Sequence, residues 1–288
     1  MKIKKIAIIG IGLMGSSFAL ALRKRGFRGE IKGIGRKKSN LARAKKLGII
    51  DSFSTDHSGG VKDADLVLLS TPVGNFEDIT RSIRKNLKKG AIITDLGSVK
   101  ARIVKRLDSM MPDGVNFVGA HPIAGRECSG IDCASADLFD NARCIITPGK
   151  NTDRKALAQI RKIWKFVGAR TMTMSPEEHD IIYAAVSHMP HVVAFALINS
   201  VTDLKTDILP FGGGGFKDMT RIALSPAELW RDICTLNKKD ILRTLRKFSS
   251  SISRMTRLIE KSDWPGLEKE FNRATEARQL IEPVKRKI

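Results

Sequence analysis

IKKIAIIGIGLMGSSFALALRKRG, residues 3–26, decides the fold. Residues 3–10 (IKKIAIIG) read as a buried strand. Gly10-Ile11-Gly12-Leu13-Met14-Gly15 follows at once, and residues 16–25 read as a helix closed by Gly26. A further strand, EIKGIG, occupies 30–35. A lone G-x-G-x-x-G is a weak signal, but between a strand and a helix in a βαβ unit it has a mechanical meaning. Gly10 permits a tight turn, Gly12 lets a pyrophosphate approach the backbone, and Gly15 lets helix and strand pack closely. The helix N-terminus then offers N–H donors and the positive dipole end to phosphates, and Leu13 and Met14 of the motif are candidate cofactor contacts.

The same stretch imitates a secretion signal, since Lys2, Lys4 and Lys5 precede an apolar run with a small-residue segment at 19–21. The glycines at 10, 12 and 15 fall in the middle of that run and favour the βαβ reading. Outward from it, short apolar strands are expected at 66–70, 91–95, 117–119 and 144–147, with helical stretches between most of them. That alternation predicts an α/β fold with a doubly wound, mostly parallel sheet of the Rossmann type. Residues 153–167 carry apolar side chains at helical spacing, and 171–174 reads as a last strand. Ser175-Pro176-Glu177-Glu178 is a helix start, with serine as cap and proline in the first turn; Ser225-Pro226-Ala227-Glu228 repeats the signature. From Ser175 onward nearly everything reads as helix. The expected domains are therefore 1–174, binding a dinucleotide, and 175–288, all helical. Within the second, Ile241, Leu245, Phe248, Ile252, Met255 and Ile259 step by four and three, the seam of a coiled coil, which packs either inside one subunit or across a two-fold axis; a homodimer is the favoured expectation.

Composition narrows the class. A hydrophobic fraction of 42% and a charged fraction of 28% are those of a globular chain rather than a disordered one. No apolar run is read as long enough to cross a bilayer, so no membrane partner is expected. Cys128, Cys133, Cys144 and Cys234 form no C-x-x-C pair and no metal-type spacing, and are expected as reduced thiols of a cytoplasmic protein. His188 and His191 lack an evident third ligand, so no metal is expected. The net charge of +21 allows a nucleic-acid binder, but the basic residues are scattered among acids, and no nucleic-acid partner is expected. A positive field that draws in anionic small molecules is the milder consequence.

A carboxylate at the end of the second strand would mark NAD, because it accepts from the adenosine ribose hydroxyls. Here Gly35 is followed by Arg36-Lys37-Lys38-Ser39, cations where a 2′-phosphate would lie, so NADP is favoured over NAD. Ser70-Thr71-Pro72 and Asp95-Leu96-Gly97-Ser98 end strands at the edge where open α/β sheets bind ligands. His121, in Gly119-Ala120-His121-Pro122, ends a strand at the same edge; it reads equally as a buried structural histidine or as a group facing the nicotinamide. Ser98 reaches that edge from the neighbouring strand and is a candidate to orient its ring.

With the glycine motif, DLGSVK (95–100), GAHPIAG (119–125), SHMPH (187–191) and FKDMTR (216–221) stand in the order and approximate spacing of prephenate dehydrogenases. The chain resembles that family, arogenate dehydrogenases included, over essentially its whole length. The resemblance implies a cytoplasmic enzyme of tyrosine biosynthesis that decarboxylates prephenate oxidatively to 4-hydroxyphenylpyruvate, with hydride passing to NAD(P). It also implies that the helical domain dimerises and completes the active site. His121 matches the catalytic histidine and Ser98 the serine that supports it. His191 matches a histidine of the substrate pocket, Arg221 the arginine for a substrate carboxylate, Glu127 a polar pocket residue, and Trp230 an aromatic near the cleft. His191 is further expected near the start of the helix 192–201, where the dipole favours an anion. Two positions depart from the family pattern: the Arg36–Lys38 run, and Arg126, where a small polar residue is expected. The alternatives are another small-acid dehydrogenase of the 3-hydroxyacid type and, outside enzymes, a basic nucleic-acid-binding Rossmann protein.

Overall fold

The computed structural model describes residues 3–126 and 128–281. Glu127 and residues 282–288 lie outside them. Eight strands form one sheet in the order β3-β2-β1-β4-β5-β6-β7-β8. They are β1 (Lys5–Ile9), β2 (Glu30–Ile34), β3 (Ser52–Ser54), β4 (Leu66–Leu69), β5 (Ile92–Asp95), β6 (Asn116–Pro122), β7 (Arg143–Pro148) and β8 (Arg170–Thr173). All pairs are parallel except β6 with β7, where His121 faces Ile145 across the ladder. The lysine-led apolar stretch that imitates a secretion signal is β1, at the centre of the sheet, with helix α1 (Leu13–Lys24) after it.

Strand periodicity splits the core between the two faces of the sheet. Ile6 and Ile8 point with Leu66 and Leu68 into one layer, which Phe18 and Trp164 complete. Ala7 and Ile9 point with Val67 and Leu69 into the other, which Phe76, Ile103 and Phe117 complete. The first layer belongs to α1 and α6 (Arg154–Phe166), the second to α4 (Phe76–Ile83) and α5 (Ala101–Asp108). Side chains buried on both faces explain why these strands read as continuous apolar runs. Asp153 caps α6 by accepting from Lys155 N and Ala156 N.

After β8 the chain is helical. Ser175 caps α7 (Pro176–Tyr183) by accepting from Glu178 N, as expected from its signature. A π-turn, Ala184–His188, joins α7 to α8 (Met189–Leu204) without a break. Pro190 has no N–H and its ring collides with the carbonyl four residues earlier, and the wider turn just before it absorbs that conflict. The result is one helix from Pro176 to Leu204, whose residues 181–202 contain no Asp, Glu, Lys or Arg. By length and composition it could cross a membrane, which corrects the reading that no stretch is long enough. His191 accordingly sits inside a helix rather than at its start, and the expected dipole contribution to anion binding falls away.

The next helices are α9 (Gly214–Thr220) and α10 (Ala227–Leu236). Ser225 does not cap α10: its N–H closes the 3₁₀ turn Arg221–Leu224 by donating to Ile222 O at 3.3 Å, and Pro226 takes the cap position. By packing, one compact unit runs to Lys238, because α7 lies on α5 and β7 and so joins the sheet. The second unit, from Lys239, holds α11 (Lys238–Glu260) and α12 (Trp264–Gln279), linked by Arg254 donating to Glu270 at 3.0 Å. On α11, Leu245, Phe248, Ser251, Met255 and Leu258 form the half-buried stripe, while Ile252 and Ile259 of the expected seam stay exposed. A straight helix drifts about 20° per heptad from a 3.5-residue repeat, enough to move the stripe by one position.

Candidate active site

The strand order reverses between β1 and β4, and the crevice there is a cavity of about 890 Å³. Gly10, at φ +103°, turns the chain so tightly that a Cβ would lie 2.6 Å from the Ser70 carbonyl oxygen. A Cβ at Gly15 would lie 2.2 Å from Gly10 O, so both glycines are dictated by close backbone approach. Gly12 has nothing within 4 Å of its would-be Cβ and no side chain caps α1 there, so the helix N-terminus is open to the crevice. This glycine cradle, with its unpaired donors, fits a dinucleotide pyrophosphate. Arg36, Lys37, Ser70, Thr71 and Pro72 join Gly10 and Gly12 on the wall, as expected from the sequence. Ser39 is exposed on α2 (Lys38–Lys46), while Leu13 and Met14 form the first turn of α1. Gly97 serves the backbone instead, since its N–H donates to Asp95 Oδ2 at 2.8 Å and tightens the turn after β5. Asn40, His57 and Asn75 also line the crevice; each lies in a loop or helix without a motif, so nothing in the sequence singled them out.

Farther along the same edge, a fully buried ion pair of Asp95 and Lys100 anchors the β5 loop. Asp95 Oδ1 also accepts from Ala120 N at 3.0 Å, which ties the loop to β6 just before His121. His121 is 8% exposed, and its Nδ1 lies 2.8 Å from Nε2 of His179. His179 Nδ1 lies in turn 2.8 Å from Asp180 Oδ1. Asp180 accepts from the backbone N–H groups of Lys100 and Ala101 at 2.7 and 2.8 Å. Tyr183 stacks on His179 at 4.5 Å between centroids and meets His121 edge-on at 4.9 Å. The partner at His121 Nδ1 is thus His179, while Ser98, expected to orient the ring, stands half-buried at the end of the β5 loop.

Burial sets the protonation states. It holds His121 well below the ordinary imidazole value; the adjoining His179, which could not share a second proton with it, and the Lys100 cation push the same way. It takes His179 down to about 2, and His188 to about 4 against the upward pull of Asp180. The same desolvation raises Asp180, opposed by its two backbone donors. His121 is therefore a neutral imidazole at pH 7, able to accept a proton.

His191 stacks on Trp230 at 3.8 Å and 22°, and its Nδ1 donates to Ser187 O at 2.9 Å. Burial lowers its pKa as well. Arg221 is exposed on the 3₁₀ turn that packs against α8, the helix carrying His191. Arg126 is exposed. Glu127 lies outside the described residues. Cys128 and Cys133 form a disulfide, which corrects the reading of four free thiols; their Cα atoms, 6.1 Å apart on one loop, are within bridging distance. Cys144 and Cys234 are free.

Residues 18–173 match the family model of the prephenate dehydrogenase nucleotide-binding domain, and residues 175–273 that of the prephenate dehydrogenase dimerization domain. The chain belongs to the prephenate dehydrogenase family. With membership comes its class, an NAD(P)-dependent oxidoreductase. It is 36% identical to prephenate dehydrogenase of Bacillus subtilis, over 98% of this chain and 77% of that one. It is also 36% identical to cyclohexadienyl dehydrogenase of Zymomonas mobilis, over 96% of each. The crystal structure of prephenate dehydrogenase from A. aeolicus, in complex with hydroxyphenyl propionate and NAD+, superposes with a TM-score of 0.92 at 36% identity, covering 98% of this chain and 99% of that chain.

In a family enzyme with this cradle, Gly10 and Gly12 should fail differently. Gly10→Ala places a side chain on a positive-φ backbone and into Ser70, and should cost about 1–3 kcal/mol of stability for the backbone alone. Gly12→Ala should leave the thermal midpoint nearly unchanged while weakening dinucleotide affinity roughly tenfold, the equivalent of about 1.4 kcal/mol of crowding. Thermal melts with and without dinucleotide separate the two; equal melting shifts for both would remove the distinction.

Proposed function

We propose that this chain oxidises and decarboxylates prephenate to 4-hydroxyphenylpyruvate, with NADP preferred over NAD. The observation that supports it most is the buried, neutral His121 near the carboxyl end of β6, two strands along the sheet edge from the β4 end that lines the dinucleotide crevice. Prephenate carries a ring carboxylate, a pyruvyl carboxylate and a hydroxyl at C4. His121 is placed to accept the hydroxyl proton, and the oxygen keeps its electron pair to form a ketone. The nicotinamide, when bound, takes the hydride that leaves C4. The resulting dienone loses CO2, the electrons of that bond make the ring aromatic, and its oxygen takes a proton back, so the protein has to assist a proton off and on that oxygen and hold two anionic ends. Arg221 offers a planar fork to one carboxylate, on the turn packed against the helix of His191. His191 and Trp230 form a flat wall on that side, and the family motifs assign Ser98 and Glu127 to the same pocket.

The NADP preference rests on Arg36 and Lys37, which line the crevice where β2 ends without a carboxylate. The A. aeolicus relative was crystallised in complex with NAD+, so NAD is the cofactor against which the preference is measured. A homodimer is part of the proposal: residues 175–273 match a dimerization domain, and α8, α11 and α12 expose apolar side chains such as Leu204, Ile252, Ile259 and Phe271. So is a cytoplasmic location, the setting expected of a tyrosine-biosynthetic enzyme. It calls on no nucleic-acid or membrane partner.

The experiment is the absorbance of reduced nicotinamide with prephenate or arogenate, each paired with NAD or NADP. Prephenate with NADP should give the highest kcat/KM. A preference for arogenate would move the substrate to the amino analogue, and a preference for NAD would make the Arg36–Lys38 run solvated loop charge. Silence in all four from protein that still binds dinucleotide would overturn the substrate reading. Arg221→Gln should raise KM for prephenate roughly tenfold or more with kcat little changed, as loss of a ground-state carboxylate contact does. An unchanged KM removes Arg221 from the pocket.

A further inference from the structure

We propose that His179 and Asp180 lock His121 into a single tautomer and thereby choose which of its nitrogens receives the substrate proton. Asp180 takes the N–H of Lys100 on Oδ1 and that of Ala101 on Oδ2, the cap and first residue of α5. Donors on both oxygens and the positive end of a helix hold it as a carboxylate, which accepts hydrogen bonds and donates none. The proton between Asp180 Oδ1 and His179 Nδ1 therefore belongs to the histidine. A neutral His179 with its proton on Nδ1 has a bare Nε2. That bare nitrogen faces His121 Nδ1 at 2.8 Å, so His121 must carry its proton on Nδ1. Nε2 of His121 is left unprotonated, and among the described residues it accepts no hydrogen bond.

The ring planes are held as firmly as the protons. His179 is fully buried between His121 and Tyr183, with Tyr183 stacked on one ring and edge-on to the other. When the substrate O–H bond breaks, the proton goes to Nε2 of His121 and the electron pair remains on oxygen. The new imidazolium keeps its Nδ1–H directed at His179, whose own N–H leans on the carboxylate. No proton has to travel along the chain. His179 and Asp180 never touch substrate and are positioning residues: without them His121 samples both tautomers, and only one presents a base.

The inference rests on the reading of His121 as the proton acceptor, and its first test is independent of that reading. In full-length protein labelled with nitrogen-15 histidine, the His121 resonances, assigned by their loss in His121→Asn, should show a protonated Nδ1 and a bare Nε2. A protonated Nε2 overturns the proposal. The second test is kinetic. His179→Phe keeps the stack on Tyr183 and removes the acceptor; kcat should fall on the order of 100-fold while KM and dinucleotide affinity hold. His179→Gln restores an acceptor oxygen and should recover kcat to within about tenfold of the parent. A Phe variant that turns over normally, or Phe and Gln variants equally impaired, overturns it. Should His179→Phe not fold, the nitrogen shifts decide alone. Absence of turnover in the unsubstituted protein counts against the substrate reading only, and the tautomer is still read.

Discussion

His121→Asn is expected to lower kcat by about 10³-fold or more while dinucleotide affinity and the thermal midpoint stay close to those of the parent. The size follows from the role: a positioned base contributes about 10²–10⁴-fold, and roughly 4 kcal/mol of barrier corresponds to 10³. Asparagine is the informative replacement because its amide nitrogen falls about where Nδ1 stood and can still donate to His179 Nε2. It removes the Nε2 lone pair and little else. KM should move far less than kcat, since the proton is transferred only in the transition state. Steady-state kinetics, dinucleotide titration and a melt on the same preparation check it. Turnover near the parent's would take His121 out of the catalytic role. A fall in kcat together with a collapse of the midpoint would return it to the structural role that the bare sequence left open.

Why part of this site was legible and part was not depends on where each residue's meaning comes from. Gly10, Gly12 and Gly15 work through their own backbone and nearby atoms, so a strand, three glycines and a helix in succession suffice to read them. The sheet was legible because short continuous apolar runs announce doubly buried strands locally, and only β3, three half-buried residues long, carried no signal. His121 was visible through its motif at a strand end, but its partner was not. His179 sits inside a helix-start signature, SPEEHD, and acquires its role from a strand 58 residues earlier. The SHMPH segment misled in the opposite direction. In sequence it reads as lying just ahead of a helix at 192–201, whereas the π-turn Ala184–His188 carries one helix through it. Cys128 and Cys133, separated by four residues, match no metal or redox spacing, and only the shape of their loop brings them together.

Acid should unfold this protein earlier than its strongly basic composition suggests, because His121, His179 and His188 are buried neutral. Each has a folded pKa below its unfolded value of 6.5, so below that pH the unfolded chain binds protons that the native state refuses. Their contribution to stability is complete above pH 6.5 and is lost as the pH falls. The loss from His188 levels off near pH 4, and that from His179 continues toward about pH 2. At pH 5 His179 and His188 each cost about 2 kcal/mol relative to neutral pH, and His121 acts in the same direction, against a typical net stability of about 5–15 kcal/mol. Asp180 works the other way. Its raised pKa lets the native state take a proton first, and it offsets part of the loss at the acid end. Urea midpoints at pH 7.5, 6 and 5 should fall steadily, with the acid limb of kcat/KM also below pH 6.5. A midpoint unchanged between pH 7.5 and 5 would show that water reaches these rings and would weaken the account of His121 as a base kept neutral by burial. Catalysis and acid lability then share one cause: the desolvation that keeps His121 unprotonated at neutral pH also leaves the fold without a way to accommodate its protons when they come.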